Sequence, residues 1–192
     1  MKGWLFVVAG MLLLCAPPTS AKPERFGLDP EHTQIVFKVS HLGYAHAWGK
    51  FRIFRGEFTF DEEDWSRSSV EVIIETRGLD LANRRWNEKI RGEHFLDVEQ
   101  FPEMRFVSTK VEKTGENTGV ISGDLTMLGE TRPVTLQMTL NKVGKSPLTN
   151  KLMAGFSATG ELKRSDWGMT YLVPAAGDTV TLFLEAEGIR EK

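Results

Sequence analysis

From Thr33 onward, apolar and polar residues alternate with a period of two, the pattern of strands that bury one face and wet the other. Ile35, Phe37, Val39 and His41 share one face of a first strand. Phe51, Ile53, Phe58 and Phe60 lie on a long second strand, with a bend expected at Gly56. Asp61-Glu62-Glu63-Asp64 reads as a turn. On a third strand Val70, Val72, Ile74 and Thr76 then face one way, and Glu71 and Glu75 the other.

The period changes after Leu81. Charged, helix-compatible residues fill Asn83 to Arg91, with Trp86 and Ile90 four apart on one side. This predicts a short helix over Leu81–Arg91, stopped by Gly92. Phe95 to Pro102 reads as an ordered crossover. Strands resume at Met104–Glu112 and, after a Gly/Asn-rich turn, at Val120–Leu128. Gly129-Glu130 turns tightly into Val134-Leu136-Met138-Leu140, with Thr135, Gln137 and Thr139 on the outer face. Leu152–Leu162, carrying Phe156 and Ala158, and Val180 to Ala186, carrying Leu182 and Leu184, complete the series. About eight strands at meander spacing predict an all-β chain able to close as an up-and-down antiparallel barrel. One short helix falls between the third and fourth strands. A barrel of this size either fills its interior with side chains or holds a small ligand there, and the pattern alone does not separate the two.

The start of the chain breaks this pattern. Lys2 precedes an apolar run from Trp4 to Ala16, closed by Pro17-Pro18 and by the small residues Thr19-Ser20-Ala21. That order is a cleavable export signal over residues 1–21, leaving a single domain over 22–192. The run is shorter than the roughly 20 residues a membrane-spanning helix needs. Cys15, the only cysteine, falls within it, and Leu14 before it argues against a lipid anchor. The mature chain is then thiol-free, with no disulfide and no cysteine metal site. Without Lys2 it carries 23 basic and 26 acidic side chains, a formal charge of −3 that argues against a general nucleic-acid binder. The expected compartment is the periplasm, with secretion as the alternative.

Familiar catalytic patterns fail. Gly155-Phe156-Ser157-Ala158 begins like a nucleophile elbow, but Thr159 replaces the second glycine and the segment reads as mid-strand. There is no phosphate-binding loop or dinucleotide fingerprint. His41 and His46 could approach one another across the Leu42–Ala45 turn, yet no acidic residue stands beside them at a metal-binding spacing. No catalytic residue, metal or cofactor is therefore expected. Arg84, Arg85, Lys89 and Arg91 read as a solvated face. If the helix caps the barrel mouth, the same charges could instead meet a polar or anionic head group, with Trp86 and Ile90 pointing inward.

Several blocks carry a resemblance: Asp29-Pro30-Glu31-His32-Thr33, Phe37 with His41-Leu42-Gly43-Tyr44, Gly56-Glu57-Phe58-Thr59-Phe60-Asp61, and Phe95 to Val98 leading to Phe101-Pro102. Phe106 to Thr109, Gly123-Asp124-Leu125-Thr126, Arg132-Pro133-Val134 and Arg164-Ser165-Asp166-Trp167-Gly168 follow in order. Together they resemble the YceI-like family of exported, lipocalin-like, polyisoprenoid-binding barrels, over about Phe26 to Gly188. Two positions depart from the family pattern. Trp86-Asn87 stand where the helix usually carries Arg-Asp, and Leu128 stands where histidine or asparagine is frequent.

The resemblance implies an eight-stranded antiparallel lipocalin-like barrel with an elongated apolar cavity, holding a polyisoprenoid, an isoprenoid quinone or a similar long-chain amphiphile. The expected wall takes Phe37, Val39 and His41 from the first strand, Phe58 from the second, and Val72 and Ile74 from the third. Trp86 and Ile90 join from the helix, then Met104, Phe106, Leu125 and Met127. Leu136, Met138, Phe156 and Leu182 complete it. Each buried methylene of such a chain gains roughly 0.8 kcal/mol, and methionine adapts to irregular tails. The function expected is that of a lipid binder or carrier that does not span the membrane, with homodimerisation left open. An enzyme acting on a lipid, or a stress-related barrel with a filled core, are the alternatives.

Overall fold

The computed structural model describes residues 22–52 and 54–191; the expected export signal, with Cys15, and Ile53 lie outside the described residues. Alternating sequence becomes strand almost throughout. In chain order these are β1 (Glu24–Leu28), β2 (Gln34–His41), β3 (Ala45–Phe51), β4 (Phe54–Phe60), β5 (Ser69–Glu75) and β6 (Leu79–Asp80). After helix α1 (Arg84–Arg91) come β7 (Glu103–Lys113), β8 (Thr118–Met127), β9 (Glu130–Lys145), β10 (Leu152–Lys163) and β11 (Ala176–Arg190).

Antiparallel pairing runs β1-β4-β5-β7-β8-β9-β10-β11, and β11 returns to β1 through Phe26↔Arg190 and Leu28↔Gly188. The chain is thus a closed eight-stranded antiparallel barrel with one helix. At its other end β11 pairs with β2, β2 with β3, and β3 with β6. β1 and β2, β3 and β4, and β5 and β6 are therefore halves of three long, interrupted strands.

Each interruption among the described residues has a local cause. Between β1 and β2, Asp29 Oδ1 accepts from the Glu31 amide at 2.9 Å and the Asp29 carbonyl from the Thr33 amide at 2.9 Å. After β5, Thr76 turns out of the strand, its amide donating to the Pro102 carbonyl and its hydroxyl to that of Phe101 at 2.8 Å. Thr76 thus leaves the face it was expected to share with Ile74. The second long strand breaks after Phe51, where the Arg52 amide reaches the Gly78 carbonyl at 2.9 Å. Gly56, where the bend was expected, stays inside β4 opposite Val72. A Cβ there would lie 2.4 Å from the Glu71 carbonyl oxygen, so this glycine serves close strand approach rather than bending.

The helix starts later than its predicted Leu81, because Asn83 caps it by accepting from the Trp86 amide at 3.1 Å. Gly92 ends it as expected. Strand β1 lay outside the expected alternation: only Phe26 of its five residues is fully buried, so no repeat announces it.

Two apolar clusters line the barrel interior. One joins Phe26, Phe58, Phe60, Trp65 and Val111 at one end. Phe26 and Phe58 stack at 5.0 Å, and Phe156 meets Phe58 and Phe60 edge-on at 5.4 and 5.1 Å. Gly188 makes room for this plug, since a Cβ there would fall 2.3 Å from the Phe58 ring. The other cluster gathers Ile74, Met104, Leu125, Met127, Leu136, Phe95, Leu96 and Trp167 beneath the helix and the crossover. Outside, Arg105 pairs with Glu71 at 2.8 Å and Arg55 with Glu103 at 2.8 Å, the charged face the alternation predicted.

Candidate functional site

Inward residues of the strands surround a cavity of about 510 Å³. That lies within the range of about 300–1,000 Å³ usual for ligand pockets. Its wall is almost wholly apolar. All the wall residues expected from sequence line it: Phe37, Val39, His41, Phe58, Val72, Ile74, Trp86 and Ile90, with Met104, Phe106, Leu125, Met127, Leu136, Met138, Phe156 and Leu182. Ile35, Ala158 and Leu184 line it too and were not named, although their strand parity matched that of named residues. Phe51 also lines it, out of parity with Phe58 because the strand is interrupted between β3 and β4. Leu42, Arg164, Met169 and Leu172 are a different case. They come from turns between strands, where no period exists to place them.

One end of the cavity is the aromatic plug. At the other end lie α1, the β2–β3 turn and the segment before β11. Among the large hydrophobic side chains of the wall, the exposed ones are Leu42, Trp86 and Leu172, all at this end. It is therefore the mouth. Trp86 packs on His41 with ring centroids 5.1 Å apart, carrying α1 across the opening. The β2–β3 turn is tied to the segment before β11 by the Leu42 amide donating to the Ala175 carbonyl at 3.0 Å.

The charged helix divides. Trp86, Lys89 and Ile90 line the cavity, as their three- and four-residue spacing dictates. Arg84 and Arg85 do not line it. Arg91 turns back to donate to the Leu79 carbonyl at 2.5 Å, a structural bond rather than a ligand contact. Only Lys89 of the four thus stands where a head group would lie, its Nζ 5.8 Å from the Tyr171 ring.

The departures from the family pattern have clear places. Asn87 accepts from the Leu81 amide at 2.7 Å and donates to Asp80 at 3.3 Å, anchoring the helix to β6. Asp80 is held down to about 2 by the Ala82 amide, by Arg52 and by Asn87. Leu128 sits at φ 52° beside Gly129 at φ 78° in the β8–β9 turn, packed against the apolar cluster under the helix.

Arg164 is buried at the mouth. Its guanidinium donates to the carbonyls of Gly177, Met169, Tyr171 and Ala176 at 2.7–3.0 Å. Burial pushes it below the usual arginine value, opposed by the charge of Asp178. With its donors committed to four carbonyls, this cation moulds the segment between β10 and β11 instead of offering itself to a ligand. Asp178 is penalised by burial but held low overall by hydrogen bonds from Ser165.

Register separates the two histidines that sequence placed near each other. His41 pairs with Ala45 and His46 with Ser40, so the rings point to opposite faces of the sheet. Ser157 lies mid-strand in β10, donating to Glu185 at 2.7 Å and accepting from Asn141 at 2.9 Å, and does not line the cavity. Among the described residues, Asp29, His32 and Glu187 can bring ligating atoms within 4.8 Å of one another. They stand away from the cavity wall, and the His32 ring is already bound to Asp29 Oδ2 at 2.8 Å. That hydrogen bond raises His32 and lowers Asp29.

The geometry agrees with the comparisons. The family description "YceI-like domain" matches residues 26–188. The chain is 38% identical over 191 residues to a UPF0312 protein of Serratia proteamaculans and 36% identical to one of Yersinia enterocolitica, in each case covering 100% of this chain and 98% of the relative. Solved structures share the fold. BcnA of Burkholderia cenocepacia superposes with a TM-score of 0.73 at 21% identity, over 83% of this chain and 98% of that one. A polyisoprenoid binding domain from Saccharophagus degradans superposes at 0.65 with 11% identity, over 86% and 98%.

Proposed function

This chain belongs to the YceI-like domain family, and from that premise we propose that it is a binding protein for a long-chain isoprenoid lipid, held inside the barrel. The observation that carries the reading is the cavity of about 510 Å³, apolar over nearly its whole wall and closed at one end. A filled-core barrel has no such space. A polyprenyl tail enters at the mouth and lies along Phe106, Met104, Leu136 and Phe37 toward the aromatic plug. Dispersion contacts along such a wall supply affinity without directional bonds. His41 and Lys89 are polar groups at the mouth suited to a head group that accepts hydrogen bonds, such as a quinone carbonyl or a phosphate. The Saccharophagus degradans domain, described as polyisoprenoid binding, supports the same ligand class. The export pattern over residues 1–21 supports placing this binder or carrier in the periplasm.

The test is organic extraction of protein purified without detergent, read by mass spectrometry. One isoprenoid-type lipid per chain is expected, with reduced recovery from Phe106→Ala, which removes a ring from the wall. No bound lipid, combined with no uptake of added polyprenol or quinone by the wild type, would overturn the reading.

A further inference from the structure

The mouth is built in a way that folding alone does not explain. Two leucines stand at its turn tips in the left-handed region, Leu42 at φ 55° and Leu172 at φ 60°. That conformation crowds a Cβ and favours glycine or asparagine. Both leucines are also wet, 49% and 43% exposed, so packing returns little of the cost. Tyr44, two residues after Leu42, is 92% exposed, and Tyr171, next to Leu172, is 40% exposed. The two lips carry no carboxylate: His41–His46 and Gly168–Gly177 contain no aspartate or glutamate. Charge enters beside them from α1, as Arg84, Arg85 and Lys89 against Glu88, which lies 3.7 Å from Arg84. Glu93 follows, close to His94 at 3.8 Å. A basic patch flanking apolar lips is notable on a chain whose net charge is −2.

We propose that this rim is a docking surface for an anionic phospholipid bilayer, seating the barrel mouth-down so that its cavity opens onto the membrane. Leucine tips reach the acyl boundary, the tyrosines lie at head-group depth, and the arginines meet lipid phosphates. Charge complementarity selects a bilayer over a protein partner of the same area, since the flanking patch is cationic and the lips present leucine and tyrosine side chains with no carboxylate among them. The inference extends the cavity reading by naming the surface from which the ligand is drawn. Leu42, Leu172 and Lys89 serve both the wall and the rim, whereas Tyr44, Arg84 and Arg85 belong to the rim alone and do not line the cavity.

The experiment is co-sedimentation of the protein with vesicles free of isoprenoid, either phosphatidylcholine alone or phosphatidylcholine with phosphatidylglycerol. The wild type should bind the anionic vesicles at low salt, and 0.5 M salt should release it, as expected for surface charge screened beyond about 4 Å. Arg84→Glu with Arg85→Glu should weaken binding at least about 25-fold, at roughly fivefold for each of the two lost cations. Leu42→Asn, which suits the left-handed backbone, should keep or raise the melting temperature while lowering vesicle affinity. Equal binding by the double variant, or no binding of the wild type to anionic vesicles, overturns the docking surface. Because these vesicles hold no isoprenoid and extraction reads the cavity without vesicles, failure of one reading is distinguishable from failure of the other.

Discussion

The two ends of this barrel use the same kinds of residue for opposite purposes. At the closed end Phe26, Phe58, Phe60 and Trp65 are buried and pack ring on ring, with half-buried Phe156 set edge-on against Phe58 and Phe60. At the mouth Leu42, Trp86 and Leu172 border the cavity and stay partly wet. Burial at the plug lowers the free energy of the folded chain at once. Exposure at the rim leaves apolar surface whose burial is deferred until something enters or covers the opening. Stability and binding are thus concentrated at opposite ends, and substitutions should separate them.

The largest effect is expected at the plug. Phe58→Ala removes the stack on Phe26 and the edge contact with Phe156 and leaves a cavity beside Gly188, costing about 3–5 kcal/mol in urea unfolding. At the mouth, Trp86→Ala should behave in the reverse way. Trp86 is 37% exposed and its ring partner is His41, so stability should fall by less than about 1.5 kcal/mol. Lipid recovered by extraction should fall severalfold. If Trp86→Ala destabilises as much as Phe58→Ala, the division of labour between the ends is wrong.

The smallest effect concerns the post that holds α1 over the mouth. Asp80 titrates at about 2 in the folded chain against 3.8 ordinarily. Because the folded value is depressed, its stabilising contribution is present above pH 3.8 and is lost as pH falls toward and through 2. Asp80→Asn should therefore flatten this part of the pH dependence of the unfolding midpoint between pH 4 and 2. An unchanged slope would remove Asp80 as the helix anchor.

Much of the fold is legible in the alternation. A period of two over eight segments already orients Phe37, Met104, Phe106, Leu136 and Leu182 to a common interior, and all line the cavity. Where a strand is short and mostly half-exposed, as in Glu24–Leu28, the period has nothing to act on. Breaks are equally hidden. Gly56 looked like a bend because glycine weakens strands, but the neighbouring Glu71 backbone, distant in sequence, decides its use.

The residues that must avoid water, and the parity that sends them to one side of each strand, are written in the order of the amino acids, because side chains alternate along any extended backbone. The ordered blocks of the sequence also carried the family likeness. Tertiary structure alone decided that the eight strands leave a space of about 510 Å³ in place of a filled core, since that depends on how rings such as Phe58 and Phe156 share one end. It also decided which helix cation borders the cavity and sent His41 and His46 to opposite faces. These outcomes follow from register and closure, which couple residues as far apart as Phe26 and Arg190. No local pattern encodes that pairing.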